Sequence, residues 1–230
     1  MRAAGILLPI QSIPRGGAPG SLRKASIHAI NAFASFGIGV WQILPLNPPD
    51  FVGSPYASPS AFAMDPELFH DLAGDVSSPS RSDLDAWLEN SDWADSWALF
   101  RIMKSIDSRS WVKWGNWSDP SGRDLDRLRS DNEEHYWREI IIQWKLENAM
   151  RSIETHAREN GILMLGDIPL YVAHDSADIW CNKELFNIGP NGEPLERSGA
   201  PPDSFNPHGQ LWGNPTYAWS AHQKSGYAWW

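Results

Sequence analysis

The 230-residue sequence lacks the features that mark disulfide-stabilised proteins, nucleic-acid-binding proteins and membrane proteins. Its single cysteine, Cys181, excludes an intramolecular disulfide and is typical of a reducing compartment, so we expect a cytoplasmic protein. The net charge of -9 comes without any basic stretch, which argues against nucleic acid and anionic membrane surfaces as partners. No apolar run approaches the ~20 residues that a membrane span requires.

Signatures for nucleotides and metal ions are also missing. The sequence contains no GxGxxG, no GxxxxGK[ST], no HExxH and no CxxC motif, and its seven histidines are scattered. We therefore predict neither a cofactor nor a metal site. The apolar run at the N-terminus is interrupted by Pro9 and is followed by no small-residue cleavage site, so it is predicted to be a strand rather than a signal peptide.

Short apolar runs predict three parallel strands, at residues 5–9, 40–46 and 162–165. Apolar residues at helical spacing predict a helix over residues 22–36, with Ser21 as its N-cap and Gly37 ending it. A helix between the first two strands makes a βαβ unit, which implies that these strands are parallel. We expect the third strand, at residues 162–165, to be buried on both faces, because parallel strands covered by helices are apolar throughout.

The sequence divides into three parts. Residues 1–63 hold the first βαβ part and a Ser-Pro-Tyr loop. Residues 64–130 are too long for a plain connection and contain short helical pieces, so they are predicted to form an inserted helical subdomain. Residues 131–230 begin with the longest helical pattern, over 131–160, continue through the third strand and include a long loop over 187–215.

Asp167 stands directly after the third apolar run. Pro169 follows it, lacks a backbone donor and stops the strand. Ligands of parallel α/β proteins lie at the carboxyl ends of the strands, which makes Asp167 a candidate site residue. The alternative is that its carboxylate only caps the turn. The loop with Ser54 and Tyr56 has the same two interpretations, ligand contact or a surface turn built by proline.

Tryptophan is used unusually often, at 14 positions. An indole ring is a large apolar surface that suits a protein core, and its face also stacks on the apolar side of a sugar ring. We predict that most of these residues pack the interior. A minority, in loops rich in Asp, Asn and Gln, would fit a carbohydrate cleft.

Five ordered segments together give a far more specific indication than composition does. They are GILLPIQSIP (5–14), WQILPLNPP (41–49), SPYASPSAFAMDP (54–66), GDIPLYVAHDSADIW (166–180) and PPDSFNPHGQLWGNP (201–215). In their order and spacing they resemble the 4-alpha-glucanotransferase or amylomaltase family, glycoside hydrolase family 77. The resemblance runs over essentially the whole sequence.

This resemblance implies an α/β fold, the N-terminal part of a (β/α)8 TIM barrel of the α-amylase type with an inserted helical subdomain. It also implies retaining transfer of α-1,4-glucan segments between malto-oligosaccharides, with an Asp nucleophile and a Glu acid/base. The family's nucleophile lies in an Arg-x-Asp-His motif on the fourth strand, and this motif does not occur here. The resemblance thus implies that the chain stops before the fourth strand and is inactive alone, with nucleophile and acid/base expected downstream.

The resemblance also implies roles for individual residues. Asp167 matches the third-strand carboxylate that supports the nucleophile and the arginine beside it. Seven further residues match positions that bind the glucan, in the Ser-Pro-Tyr loop, in the loop that covers the cleft and in the segment after it. They are Ser54, Tyr56, Asp203, Phe205, Gln210, Trp212 and Asn214.

Two other functions stay open at this point. One is an α-glucan hydrolase of the same superfamily, and the other is a non-catalytic glucan-binding half-barrel. The GQLWGNP and SPY segments favour the transferase. The sequence leaves open the oligomeric state and the preferred glucan length.

Overall fold

The computed structural model describes residues 3–50 and 53–230. In these residues the strands are β1 (Ala4–Leu7), β2 (Ile38–Gln42), β3 (Ala57–Ser58), β4 (Leu163–Leu165), β5 (Tyr171–Val172), β6 (Arg197–Ala200) and β7 (Gln210–Pro215). The α-helices are α1 (Ser21–Ser35), α2 (Arg81–Leu88), α3 (Trp93–Ile106), α4 (Gly122–Asp131), α5 (Glu133–Glu159), α6 (Ala177–Cys181) and α7 (Trp219–Lys224). Short 3-10 turns cover Ile10–Ser12, Pro66–Leu68, Trp111–Lys113, Gly115–Ser118 and Lys183–Leu185, and a π-helical turn covers Phe69–Ala73.

The chain forms two compact units, each built from three separate segments. The first unit comprises Met1–Pro48, Ala63–Ala94 and Arg138–Ile168, and the second comprises Pro49–Phe62, Asp95–Trp137 and Pro169–Trp230. The division of the sequence into residues 1–63, 64–130 and 131–230 stays a prediction.

A three-stranded parallel sheet in the order β1-β2-β4 belongs to the first unit. Leu7 pairs with Gln42, and Gln42 pairs with Leu165, so the carboxyl ends of the three strands lie in one row. The prediction of three parallel strands at these places is confirmed. β1 and β2 end a few residues earlier than predicted, before Pro9 and Pro45, because proline has no backbone N–H to give to a neighbouring strand.

Only one face of this sheet is buried, so the prediction that the strand at residues 162–165 is buried on both faces is wrong. Trp41 points to the buried face, where its indole N–H donates to the carbonyl oxygen of Leu8 at 2.9 Å. On the opposite face Leu7, Leu163 and Leu165 are 58%, 65% and 47% exposed. The reason is the placement of the core, which draws on α1, α5 and the buried row of the sheet. Its fully buried members are Ile10, Leu22, Ile30, Trp41, Leu72, Ala73, Leu146, Ala149, Ile153 and Ala157.

A buried glutamine fixes residue 64 to α5. The amide oxygen of Gln143 accepts from the backbone N–H of Met64 at 2.9 Å, and its amide nitrogen donates to the Met64 carbonyl oxygen at 2.8 Å. This two-point contact satisfies both backbone groups of Met64, which would otherwise be costly to bury.

The helices differ from the predicted ones at their ends. The helix predicted over 131–160 is α5, which begins at Glu133, because Asn132 with φ −130° and ψ 35° ends the preceding α4. Ser21 lies inside α1, and Gly20 with φ 70° precedes it; a Cβ at Gly20 would lie 2.1 Å from a carboxylate oxygen of Asp75. Among the described residues, no helix is both long enough and apolar enough to cross a membrane.

Aromatic rings form much of the interior of the second unit. The rings of Phe100, Trp114 and Trp180 meet pairwise at centroid distances of 5.6, 5.3 and 6.1 Å. Trp97 and Trp111 are also fully buried in this unit. These contacts explain much of the tryptophan content as packing, as the sequence predicts.

The segment predicted as a long loop, 187–215, contains an antiparallel strand pair instead. β6 and β7 pair through Gly199 with Leu211 and through Ala200 with Gln210. Gly199 is required here, because a Cβ would lie 2.3 Å from the carbonyl oxygen of Gln210. Gly199 therefore allows these two strands to approach each other closely.

Candidate functional site

The Ser-Pro-Tyr loop is held by short-range hydrogen bonds of the second unit. The backbone N–H of Ser54 donates to the Asp50 carboxylate at 2.8 Å, and the N–H of Asp50 donates to the Ser54 carbonyl oxygen at 2.9 Å. The Ser54 hydroxyl oxygen accepts from the N–H of Tyr56 at 3.3 Å. Ser54 is thus engaged in shaping the turn, while the Tyr56 side chain is exposed.

A parallel pairing fixes the residues that follow Tyr56. Ala57 pairs with Tyr171 and Ser58 pairs with Val172, so β3 lies beside β5. The N–H of Ala173 continues the ladder to the Ser58 carbonyl oxygen at 2.8 Å. The loop predicted to contact substrate is therefore attached to the segment that follows Asp167 in the sequence.

Tyr171, on β5, joins this pairing to β7. Its ring stacks on Tyr217 at 5.7 Å with an interplanar angle of 16°, and lies 6.2 Å from the ring of Trp212. The Tyr217 hydroxyl group donates to the carbonyl oxygen of Leu170 at 2.9 Å. Aromatic contacts of this kind hold flat rings in fixed orientations.

Three predicted residues share β7, but they differ in exposure. Trp212 is 50% exposed, and its indole N–H donates to the side-chain oxygen of Gln210 at 3.0 Å. Gln210 thus orients the indole while remaining exposed itself. Asn214 is buried, so in this structure its side chain is not presented to solvent.

Asp203 and Phe205 lie between β6 and β7. The Asp203 carboxylate accepts from the backbone N–H groups of Phe205 at 2.8 Å and Asn206 at 2.7 Å. Such a turn fixes the backbone without using the next side chain. Phe205 is left 95% exposed.

Asp167 belongs to the first unit and directly follows the row of strand ends. It is half-buried, and its carboxylate accepts from the backbone N–H of Ile168 at 2.9 Å. This contact agrees with the turn-capping alternative. It does not test the supporting role that the family resemblance implies.

Sequence reasoning missed two residues of this arrangement, Tyr171 and Asp178. Tyr171 carries a usable signal, since it is an aromatic residue just after the carboxyl end of a strand, where ligands bind. Asp178 gives no such signal, because an aspartate in the first turn of a helix is ordinarily a surface residue. The structure instead buries it, with 4% of its surface exposed.

Burial sets the ionisation of Asp178. Loss of hydration raises the pKa of its carboxyl group from 3.8 to about 6, against the opposing effect of the Ala61 N–H that donates to it at 3.0 Å. The carboxylate in turn adds to the effect of burial in raising the pKa of the Tyr217 hydroxyl. Burial also raises the pKa of the Cys181 thiol to about 12, so this cysteine is not a reactive thiolate.

Within residues 3–50 and 53–230, no group of three or more His, Cys, Asp or Glu residues is arranged to hold a metal ion. The arrangement instead offers aromatic surfaces and hydrogen-bonding side chains, which suit a neutral, hydroxyl-rich ligand.

A model of glycoside hydrolase family 77, described as 4-alpha-glucanotransferase, matches residues 8–74 and 67–230. The chain belongs to this family. It is 32% identical over 269 residues to a 4-alpha-glucanotransferase of Aquifex aeolicus, covering 100% of this chain and 56% of that protein. The corresponding enzyme of Synechocystis is 31% identical over 283 residues, covering 100% and 55%. The family resemblance predicted from the five segments is thereby confirmed.

A solved structure has the same fold as this chain. Amylomaltase from Streptococcus agalactiae, solved in complex with acarbose, matches with a TM-score of 0.84 and 25% identity. The match covers 100% of this chain and 56% of that protein. The chain thus spans about half the length of the curated relatives and of the solved structure that it matches. The predicted α/β class is confirmed.

The raised pKa of Asp178 predicts a distinctive pH dependence of stability. The folded state binds this proton more tightly than the unfolded state, so the contribution of Asp178 to the free energy of unfolding falls as pH rises from about 4 to about 6 and is constant above. Asp178→Asn cannot titrate. The free energy of unfolding of the wild type minus that of the variant should therefore fall, by an amount on the order of 1–3 kcal/mol, between pH 4 and pH 7.

Denaturant titrations at several pH values measure this difference. Asp107→Asn is the matched control, because hydrogen bonds from Arg109 lower the pKa of Asp107 to about 2 and its titration lies below this window. The difference for that control should be flat between pH 4 and pH 7. A flat difference for Asp178→Asn as well would show that its carboxyl group has an ordinary pKa.

Proposed function

We propose that this chain is part of a 4-alpha-glucanotransferase that moves α-1,4-glucan segments between malto-oligosaccharides by retaining double displacement. The observation that carries the proposal is family membership across residues 8–74 and 67–230. The solved relative, whose title names a complex with acarbose, supports a glucan-type ligand.

In this proposal the described residues bind and orient the glucan. Trp212 offers an indole ring that is fixed by Gln210 and flanked by Tyr171, and such a ring packs on the apolar face of a glucose unit. Tyr56 adds a phenol from the neighbouring loop. Phe205 has an exposed side chain on a turn fixed by Asp203, and in this proposal it covers the bound glucan. Excluding water in this way favours transfer to a sugar hydroxyl over hydrolysis.

The two carboxylates of the displacement are not assigned to this chain. A retaining mechanism needs a nucleophile and an acid/base about 5–5.5 Å apart. The sequence contains no Arg-x-Asp-His motif, where the family carries its nucleophile. We propose a supporting role for Asp167, whose charge at the end of β4 would orient groups that the catalytic residues need.

The finer description of the fold is part of the same proposal. Three parallel strands in the sequential order β1-β2-β4, with α1 between the first two and α5 before the third, support a (β/α)8 barrel of the α-amylase type. We propose that residues 64–130 are an insertion into this barrel, since they supply helices and turns but no strand among the described residues.

Product analysis on maltotriose tests the proposed reaction. The longest reading frame that contains this chain should yield glucose together with chains longer than maltotriose. A hydrolase of the same superfamily would give only shorter products, and this outcome would replace the proposal. The 230-residue chain alone should give neither, because it contains no Arg-x-Asp-His nucleophile.

Trp212→Ala should lower kcat/KM for malto-oligosaccharides in the same protein by about 2- to 12-fold, the equivalent of the 0.5–1.5 kcal/mol that an aromatic contact contributes beyond area burial. Trp219→Ala is the matched control, because Trp219 is a similarly exposed indole, at 55% against 50%. We expect the control to keep kcat/KM. Equal kinetics for both variants and the wild type would remove Trp212 from the binding site.

Asp167→Asn should lower kcat by about 10²-fold or more, because a preorganised charge near the reacting groups is lost. The asparagine side-chain oxygen can still accept from the Ile168 N–H, so the turn and the melting temperature should be kept. Asp65→Asn is the control, since Asp65 likewise accepts from a nearby backbone N–H, that of Glu67. Full turnover with an unchanged melting temperature would assign Asp167 to turn capping alone.

A further inference from the structure

A buried carboxylate joins two segments that lie far apart in the sequence. Asp178, in the first turn of α6, accepts from the backbone N–H of Ala61 at 3.0 Å, across 117 residues. The salt bridges of the described residues do not include Asp178. Burying a carboxylate without a cation lowers the free energy of unfolding. Its favourable contribution to the fold therefore comes from the hydrogen bonds that it accepts.

The segment held by Asp178 is folded back on itself by serine side chains. The Ser58 hydroxyl oxygen accepts from the N–H of Ser60 at 3.2 Å, and the Ser60 hydroxyl oxygen accepts from the N–H of Phe62 at 3.1 Å. Ser60 also hydrogen-bonds to Asp178. These local turns direct the N–H of Ala61 towards the carboxylate.

A second contact lies one residue away on α6. The backbone N–H of Ala177 donates to the carbonyl oxygen of Pro59 at 2.9 Å. The segment 59–61 is therefore held both by the backbone at the start of α6 and by the side chain of Asp178. Fixing it at two points restricts rotation as well as distance.

This anchor bears directly on Tyr56. β3, the strand that follows Tyr56, has only two residues and pairs with an equally short β5. Strands of this length hold their register weakly unless other contacts fix it. The contacts of Pro59 and Ala61 with α6 supply that restraint immediately after β3.

We propose that Asp178 is a positioning residue for glucan binding, which fixes β3 against β5 and thereby sets where Tyr56 stands beside Tyr171. The proposal rests on the proposed glucanotransferase function. Asp178 acts through the backbone of residues 57–61 and does not itself touch the sugar. An acceptor oxygen is what the position requires, so asparagine should replace aspartate where alanine cannot.

The test compares Asp178→Ala, Asp178→Asn and Ser60→Ala in the longest reading frame that contains this chain. Amide hydrogen exchange at Ala61 reports whether the anchor is made, and kinetics on maltotriose report its use. In Asp178→Ala, exchange at Ala61 should be at least about tenfold faster, as the loss of one buried hydrogen bond predicts. KM should rise and kcat/KM should fall about tenfold or more, because small misplacements of binding groups are costly.

Asp178→Asn should restore slow exchange at Ala61 and most of kcat/KM. Ser60→Ala should give a smaller change in the same direction, and it keeps the test decisive if Asp178→Ala does not fold. Asp175→Asn is the matched control: this neighbouring aspartate accepts from the N–H of Trp111 and pairs with Lys104, away from residues 57–61. It should lower the melting temperature without changing KM.

Two outcomes would overturn the proposal. One is normal exchange at Ala61 in Asp178→Ala, which would mean that the carboxylate does not hold the segment. The other is fast exchange with unchanged KM and kcat, which would make the anchor purely structural. Absence of any glucan product from the wild type would instead overturn the proposed function, and the exchange data would still decide whether Asp178 holds residues 57–61.

Discussion

The pairing of residues 57–61 with residues 171–178 is the contact on which the candidate site depends. It consists of a two-residue parallel ladder, one backbone hydrogen bond from Ala177 and one side-chain hydrogen bond to Asp178. Each hydrogen bond alone contributes little to the free energy of unfolding, typically a net of about 1 kcal/mol. Together they position the segment, because they are consecutive and each bond fixes the geometry in which the next one forms.

This pairing also explains why aromatic residues from distant segments share one place. Tyr171 is held on one edge by β3 and stacks on Tyr217, while its other contact is Trp212 on β7. A rigid aromatic surface loses little conformational entropy when a ligand packs on it. The family's use of glucans and this preorganised set of rings are therefore consistent with each other.

Much of the first unit could be predicted from the sequence, because its strands are apolar runs that stop near prolines. Apolar periodicity likewise finds α1 and α5, within two residues at each end of α5. The strand pair β6–β7 could not be predicted, since Gly199 is needed for close approach and glycine ordinarily indicates a turn. The burial of Asp178 could not be predicted either, because it depends on a contact with a residue 117 positions away in the sequence.

The sheet face with Leu7, Leu163 and Leu165 shows a related limit of sequence patterns. A short apolar run indicates that a strand can be buried. Which of its faces is covered depends on residues outside the run. In the first unit the core lies on the Trp41 face of the sheet, and the other face keeps its leucines exposed.

The interleaving of the two units fixes an order of events during synthesis. Residues 57–61 emerge from the ribosome well before their partner Asp178, 117 residues later, which at typical rates is an interval of roughly 6 to 23 s. Helices can form in microseconds within that time, whereas the Ser-Pro-Tyr segment cannot reach its final register. The nascent chain therefore carries a partly formed second unit for seconds, an interval in which a chaperone that binds exposed apolar segments has time to act.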